Sequence, residues 1–296
     1  MDSQVYLALY TLVTCLGAGV LGFQGAACVR WRSERLNKAS AIVAGALALA
    51  GIALFALRLG RPERLFGGFA NLTSGVTLAL YGVVLFVVVC VAMIVMSSRT
   101  EDGSVPRWCG IAAIVVSVLL VAGMTCGAVL SAKPGVGLYT LMALYLGAAL
   151  LFGAAAHLVL GALLKDEDAC KTGCAALAVC ADLAGVGLAA YLVWYGLDTQ
   201  AAAQATKSTY SMSTHMIGGA KQIAATDRLA VVTSGAQAVL FWGGSVAPLV
   251  CGAAAFAVGK GDVLEKRGVL LVLGLAALVC ALAGGWCLRL CLATLV

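Results

Sequence analysis

The sequence predicts an all-α integral membrane protein: a bundle of eight transmembrane helices with both termini on the extracytoplasmic side. Hydrophobic residues make up 62% of the 296 positions, charged residues only 11%, and the mean hydropathy is +1.04. A soluble domain carries about 25% charged residues, so this composition excludes a water-soluble globule. Ala and Leu dominate, and the alternating polar and apolar pattern of a transmembrane barrel does not occur.

Eight apolar stretches reach the roughly 20 residues that a helix needs to cross a bilayer. Gly and Ala recur within them, as in "LGAALLFGAAAHLVLGALL", and small residues let helices approach closely in lipid. We therefore expect one membrane domain over residues 1–296. Its predicted spans are 5–28, 40–60, 76–97, 108–132, 136–164, 172–197, 229–258 and 267–294.

The distribution of Lys and Arg between the loops predicts the orientation, because cytoplasmic loops carry the excess of these residues. The loops that follow odd-numbered spans contain eleven Lys and Arg residues, whereas the opposite side contains seven. The loops that follow odd-numbered spans are therefore predicted to be cytoplasmic. Their basic residues are Arg30, Arg32, Arg35, Lys38, Arg99, Arg107, Lys165, Lys171, Lys260, Lys266 and Arg267.

The segment after the second span, "ALRLGRPERLFGGFANLTSG" at 56–75, concentrates charge between two apolar stretches. Pro62 disfavours helix at the residue before it and is well suited to begin a new one. We expect a short surface helix over 62–70 with Phe66 turned inward, leaving Arg61 and Arg64 for a ligand or a partner. Two simpler interpretations stay open: a solvated turn, and arginines that reach lipid headgroups.

A polar loop of about 30 residues, 198–228, follows the sixth span and carries His215. A connection of that length is longer than two helices require, so we expect it to be functional or bound to a partner.

Ionisable residues inside a membrane are costly and are functional candidates by default. His157 on the fifth span, Asp182 on the sixth and Arg289 on the eighth are the clear cases. Because the fifth and sixth spans are joined by a short loop, His157 and Asp182 are predicted to meet. They would form either a proton relay or a buried pair that locks the hairpin.

The cysteine and histidine positions argue against resident metal groups. No Cys-x-x-Cys pair occurs among the twelve cysteines, so iron–sulfur or structural zinc ligation has no local motif. His157 and His215 are the only histidines and fall on opposite sides of the bilayer, so we expect no haem. The formal charge of +6 is spread over the loops and gives no support for nucleic-acid binding.

The segment "LGRPERLFGGFANLTSG" resembles the Leu-Gly-x-Pro-x-Arg-x-Phe motif that follows the second helix in membrane-anchor subunits of dimethyl-sulfoxide-reductase-type complexes. These subunits form the DmsC group of the NrfD-like superfamily. Leu59, Gly60, Pro62, Arg64 and Phe66 occupy the matching positions. The stretches "LGAALLFGAAAHLVLGALL" and "AGGWCLR" resemble the family's fifth and last helices more loosely.

This resemblance implies a respiratory complex in the cytoplasmic membrane of a bacterium or archaeon. Such anchors hold an iron–sulfur subunit and a molybdopterin catalytic subunit on the membrane, and they carry no metal themselves. They bind menaquinol near the outer face and pass its electrons to the nearest cluster. The chain is thus expected to supply the quinol-oxidising half-reaction of an oxidoreductase.

The resemblance also assigns roles to individual residues. Arg58, Arg289 and Tyr81 are the expected quinone-binding residues, and Arg61, Arg64 and Phe66 are the expected interface with the iron–sulfur subunit. His215 and Tyr81 are the candidate proton acceptors, because three ionisable positions of the family differ here. Those positions are Arg58, Leu80 and Gly285, the last lying four residues before Arg289.

Two other functions stay open at this point. A proton-coupled secondary transporter would use Asp182 and His157, and a purely structural tether would hold the catalytic subunits without quinone turnover.

Overall fold

Eight long helices account for nearly all of the residues that the computed structural model describes, which are 3–30, 34–59, 75–100, 104–131, 138–210, 235–261 and 263–293. Each helix is long and apolar enough to cross a membrane, and no strand occurs in these ranges. The prediction of an all-α membrane bundle is confirmed, whereas the side faced by the termini stays a prediction. The helices are α1 (Ser3–Arg30), α2 (Glu34–Leu59), α3 (Gly75–Arg99), α4 (Arg107–Ser131), α5 (Leu138–Leu164), α6 (Glu167–Tyr210), α7 (Gly235–Gly259) and α8 (Arg267–Ala293).

The sixth helix differs most from its predicted extent. It runs for 44 residues, about 66 Å at 1.5 Å per residue, which is far more than a bilayer core of about 30 Å needs. Residues 198–210 are therefore helical, where the sequence indicated the start of a loop. The rest of that loop and the surface helix expected over 62–70 lie outside the described residues.

The helices form two groups of four. In the first group α1 packs on α2 and α4, and α3 completes the ring; in the second α5 packs on α6 and α8, and α7 completes it. Contacts between the groups run mainly through α1 and α5, which also pack on each other. The end of the bundle where α1 begins and α8 ends is called the terminal end below.

The contact between α1 and α5 depends on two glycines. A side-chain carbon on Gly19 would overlap the carbonyl oxygen of Ala149, and one on Gly153 would overlap the carbonyl oxygen of Gly19. The two backbones thus touch directly, which only residues without a side chain allow. This crossing holds the two groups of helices together near the middle of both helices.

A two-residue turn joins α5 to α6. Lys165 adopts the left-handed conformation (φ 58°), and the N–H of Asp166 then donates to the carbonyl of Gly161 at 3.0 Å, which ends α5. The Asp166 carboxylate accepts from the N–H of Ala169 at 3.1 Å and so caps the start of α6. The short turn sets α5 and α6 antiparallel and in fixed register.

The glycine crossing leads to a stability prediction. Gly19→Ala should lower the free energy of unfolding by about 1–3 kcal/mol or more, because the new carbon forces α1 and α5 apart. Thermal unfolding of the purified protein in detergent would measure the change.

Gly243→Ala is the matched control, since Gly243 is exposed on α7 and has no atom within 4 Å of the added carbon. It should be neutral or stabilising by up to about 1 kcal/mol through helix propensity. Equal effects of the two substitutions would show that the crossing does not hold the bundle together.

Candidate functional site

Arg289 is a buried cation at the terminal end of the bundle. Its side chain is only 3% exposed, although α8 ends four residues later, about 6 Å away. Nη1 donates a long 3.4 Å hydrogen bond to the Gly285 carbonyl, while Nε and Nη2 have no hydrogen-bond partner among the described residues. Within the same ranges no carboxylate pairs with the guanidinium. Within the described part of the chain, Arg289 therefore has two nitrogen donors without an acceptor and a charge without a counter-ion.

Two residues of α1 and α5 surround the guanidinium. Its Cζ lies 5.1 Å from the centroid of the Tyr145 ring, in the geometry of a cation–π contact, and Cys15 lies beside it. Thr11 of α1 lies beside the Tyr145 hydroxyl, and its own hydroxyl donates to the carbonyl of Ala8 at 3.0 Å. Residues of α1 thus border both the ring and the cation.

An apolar cleft between α5, α6, α7 and α8 borders this cluster. It encloses about 540 Å³ including its open mouth, and its walls include Leu144, Phe152, Leu188 and Phe241. Gly285 links the cleft to the cation, because it lines the cleft and a side-chain carbon on it would lie 2.9 Å from Nη1 of Arg289. Through Gly285 the guanidinium thus adjoins this apolar cleft, although Arg289 is not itself one of the residues that line it.

The residue four positions before Arg289 is Gly285, and its lack of a side chain has a structural consequence. A carboxylate four residues before Arg289 would lie on the same face of α8 and neutralise it. Here the guanidinium donates a long hydrogen bond to the Gly285 carbonyl, and no carboxylate among the described residues pairs with it. Position 285 therefore supplies no counter-ion to Arg289.

His157 and Asp182 do not form the predicted pair. His157 is 3% exposed, stacks against Phe23 at 4.9 Å between ring centroids, and neither ring nitrogen has a hydrogen-bond partner among the described residues. Asp182 is exposed on the outside of the bundle. Ala184 contacts Gly147 of α5, and two residues turn a helix by about 200°, so Asp182 points away from α5.

The failure of this contact removes the basis for two predictions, the relay and the locked hairpin. The transporter alternative loses the pair on which it rested. Asp166, at the turn between α5 and α6, is instead the carboxylate within electrostatic range of His157.

Of the other predicted site residues outside the His157–Asp182 pair, only Tyr81 has a described side chain, and it is not brought to Arg289. Tyr81 is 38% exposed on α3, which packs on α2 and α4 rather than on the α5–α8 group. Arg58 lies in the last turn of α2, at the terminal end, and its side chain is not among those described. Arg61, Arg64, Phe66 and His215 lie outside the described residues.

Sequence reasoning missed Tyr145, Cys15 and Thr11. Thr11 and Cys15 are four residues apart and share one face of α1, which was the signal available. The partner of that face is set by the α1–α5 crossing and was not predictable from spacing. In the described part of the chain no three His, Cys, Asp or Glu side chains are grouped as metal ligands.

The unused donors of Arg289 lead to a prediction about the ligand-free protein. Arg289→Met should raise its free energy of unfolding by about 1–4 kcal/mol, because an apolar side chain of similar length replaces a buried charge without a counter-ion. Unfolding of delipidated protein in detergent would measure this gain.

Arg267→Met is the control, since Arg267 is exposed at the opposite end of the same helix and should change stability by less than about 0.5 kcal/mol. A loss of stability in Arg289→Met would mean that the contacts with Tyr145 and Cys15 hold the helices together.

Comparison of the chain with protein-family models, with curated proteins and with solved structures finds no match. The buried cation, the aromatic ring beside it and the adjoining cleft are therefore the observations from which a function is inferred.

Proposed function

We propose that the protein is a quinone-reactive membrane subunit and that its ligand occupies the cleft beside Arg289. The observation that carries this proposal is a guanidinium 3% exposed, with two donors that have no acceptor among the described residues, next to Gly285 of an apolar cleft. A quinone has an apolar ring and tail, dissolves in the bilayer, and presents oxygen atoms that accept hydrogen bonds. It matches both parts of the site.

The energetics of Arg289 favour a ligand with an exposed oxygen. Burying a charged group without compensation costs several kcal/mol, and a hydrogen bond to a charged donor returns about 1.5–3 kcal/mol. An oxygen acceptor placed against Nε or Nη2 supplies such a bond. Tyr145 fixes the guanidinium plane by its contact at 5.1 Å and so orients these donors.

The chemistry proposed for the bound ligand is oxidation of a quinol to a quinone. This reaction breaks two O–H bonds and releases two electrons and two protons. In the proposed complex the electrons pass to an iron–sulfur partner subunit and from there to a molybdopterin subunit, and the protons leave to water at the outer face. His215 stays the candidate proton acceptor, on a loop outside the described residues.

The resemblance of residues 59–66 to the anchor motif supports this partner, with Arg61, Arg64 and Phe66 as the proposed docking residues. The motif begins where α2 ends, at Leu59, and Arg289 is near the end of α8. Both helices finish at the terminal end of the bundle. The proposed ligand and the proposed docking segment therefore belong to the same side of the membrane, as transfer of electrons between them requires.

Purification from native membranes tests the assembly. The expected preparation contains iron and molybdenum in co-isolated subunits together with extractable menaquinone. Co-isolated subunits without quinone would identify a structural tether, and a single polypeptide that lacks both would overturn the proposal. A bound phospholipid that quinol analogues fail to displace would assign the cleft to lipid instead.

Substitution of Arg289 tests the site within that complex. Arg289→Leu should lower quinol-driven turnover by about 10- to 100-fold, the loss expected for one hydrogen bond to a charged group. Turnover driven by an artificial donor that reduces the partner subunits directly should not change.

Arg267→Leu removes the same charge from the exposed end of α8 and should leave both activities intact. Normal quinol-driven turnover in Arg289→Leu would refute the assignment of the site.

A further inference from the structure

The helix that forms the α7 wall of the cleft contains a proline. Pro248 is inside α7 (Gly235–Gly259), where its nitrogen has no hydrogen to donate. The carbonyl four residues earlier, that of Gly244, is therefore without its regular helical donor. Gly244 lines the cleft, so this acceptor belongs to the ligand-binding wall.

The Gly244 carbonyl lies against a second glycine. A side-chain carbon on Gly284 of α8 would be 3.3 Å from the Gly244 oxygen, and Gly284 also lines the cleft. Because neither residue has a side chain, the backbones of α7 and α8 are in direct contact here. Both glycines line the cleft, so the Gly244 carbonyl without its helical donor belongs to a residue of the cleft wall.

Ser245 adds a second acceptor to the same wall. Its hydroxyl donates to the carbonyl of Phe241 at 2.8 Å, so its hydrogen is already used. The oxygen retains lone pairs that can accept from a ligand. Ser245 lines the cleft next to Gly244.

The proposed ligand site thus combines groups of opposite hydrogen-bonding character. Donors come from Arg289, which adjoins the cleft through Gly285, and acceptors come from Gly244 and Ser245 in its wall. A ligand that forms hydrogen bonds with both Arg289 and the α7 acceptors must offer one oxygen that accepts and one hydroxyl that donates. A dione offers acceptors only, whereas a quinol offers both.

We infer that Gly244 and Ser245, with Pro248 keeping the Gly244 carbonyl free of the helix, select the dihydroxy form of the ligand over the dione. This inference rests on the proposed function and adds its specificity. A ligand hydroxyl donates to the α7 wall while another ligand oxygen accepts from Arg289. The dione keeps the contact with Arg289 and leaves the α7 acceptors without a donor.

One additional neutral hydrogen bond lowers the dissociation constant of the quinol about tenfold relative to that of the dione. Because the quinol is bound more tightly than the dione, the quinone/quinol couple is easier to reduce when bound than when free. A tenfold preference raises its midpoint potential by about 30 mV for two electrons.

The test compares the binding of a short-tailed naphthoquinol and of its dione to the full-length protein in lipid nanodiscs under anaerobic conditions. The native protein should bind the quinol about tenfold more tightly. Pro248→Ala restores an N–H that occupies the Gly244 carbonyl, so the ratio of the two dissociation constants should fall toward one. The affinity for the dione should not change.

Ser245→Ala should lower the ratio in the same direction, and it keeps the inference testable if Pro248→Ala fails to fold. Gly243→Ala, exposed on the same helix, should retain the native ratio. A native ratio at or below one would overturn the inference, as would a ratio that both Pro248→Ala and Ser245→Ala leave at the native value.

Arg289→Leu separates this inference from the proposed function. It should weaken binding of the quinol and the dione alike, because both use the guanidinium. If Arg289→Leu leaves both affinities unchanged, the proposed site itself is wrong. If it weakens both while the α7 variants keep the native ratio, the site stands and only its selectivity is refuted.

Discussion

The contact between the backbones of α1 and α5 is the constraint on which the other features depend. Gly19 and Gly153 let the two helices touch without side chains between them, which joins the two groups of four helices. The same approach brings Thr11 and Cys15 of α1 to Tyr145 of α5, two turns nearer the terminal end. Arg289 of α8 enters the space between them. A wider separation of α1 and α5 would leave the guanidinium without the ring that orients it.

Arg289 is energetically unfavourable where it lies, and the proposed ligand would offset that cost. A buried guanidinium without acceptors lowers stability, and its partners among the described residues are a ring and a thiol rather than a carboxylate. Under the proposed function, a ligand in the cleft and the folded bundle stabilise each other. Gly285 is central to this arrangement, because any acidic side chain at that position would compete with the ligand for the cation.

Much of the fold could be predicted from the sequence, because lipid requires each crossing segment to be long, apolar and helical. The short connection between α5 and α6 was also predictable. The predicted pairing of His157 with Asp182 was wrong because it considered only how deep each residue lies in the membrane. It did not consider which face of its helix carries each side chain. On helices apolar nearly all round, no periodicity marks which face meets which neighbour. Arg289 could be identified as a candidate from its charge alone, but Tyr145 and the cleft required the helix contacts.

The turn between α5 and α6 also affects how the chain is made. Lys165 and Asp166 are the only residues between two apolar helices, and both helix ends are held by bonds within five residues of the turn. Two helices linked this closely cannot change their orientation in the membrane independently of each other. An inversion of α5 during synthesis would carry α6 with it, so the pair has one topological choice instead of two. The walls that α5 and α6 give to the cleft are set in register by their own turn, without a contribution from α7 or α8.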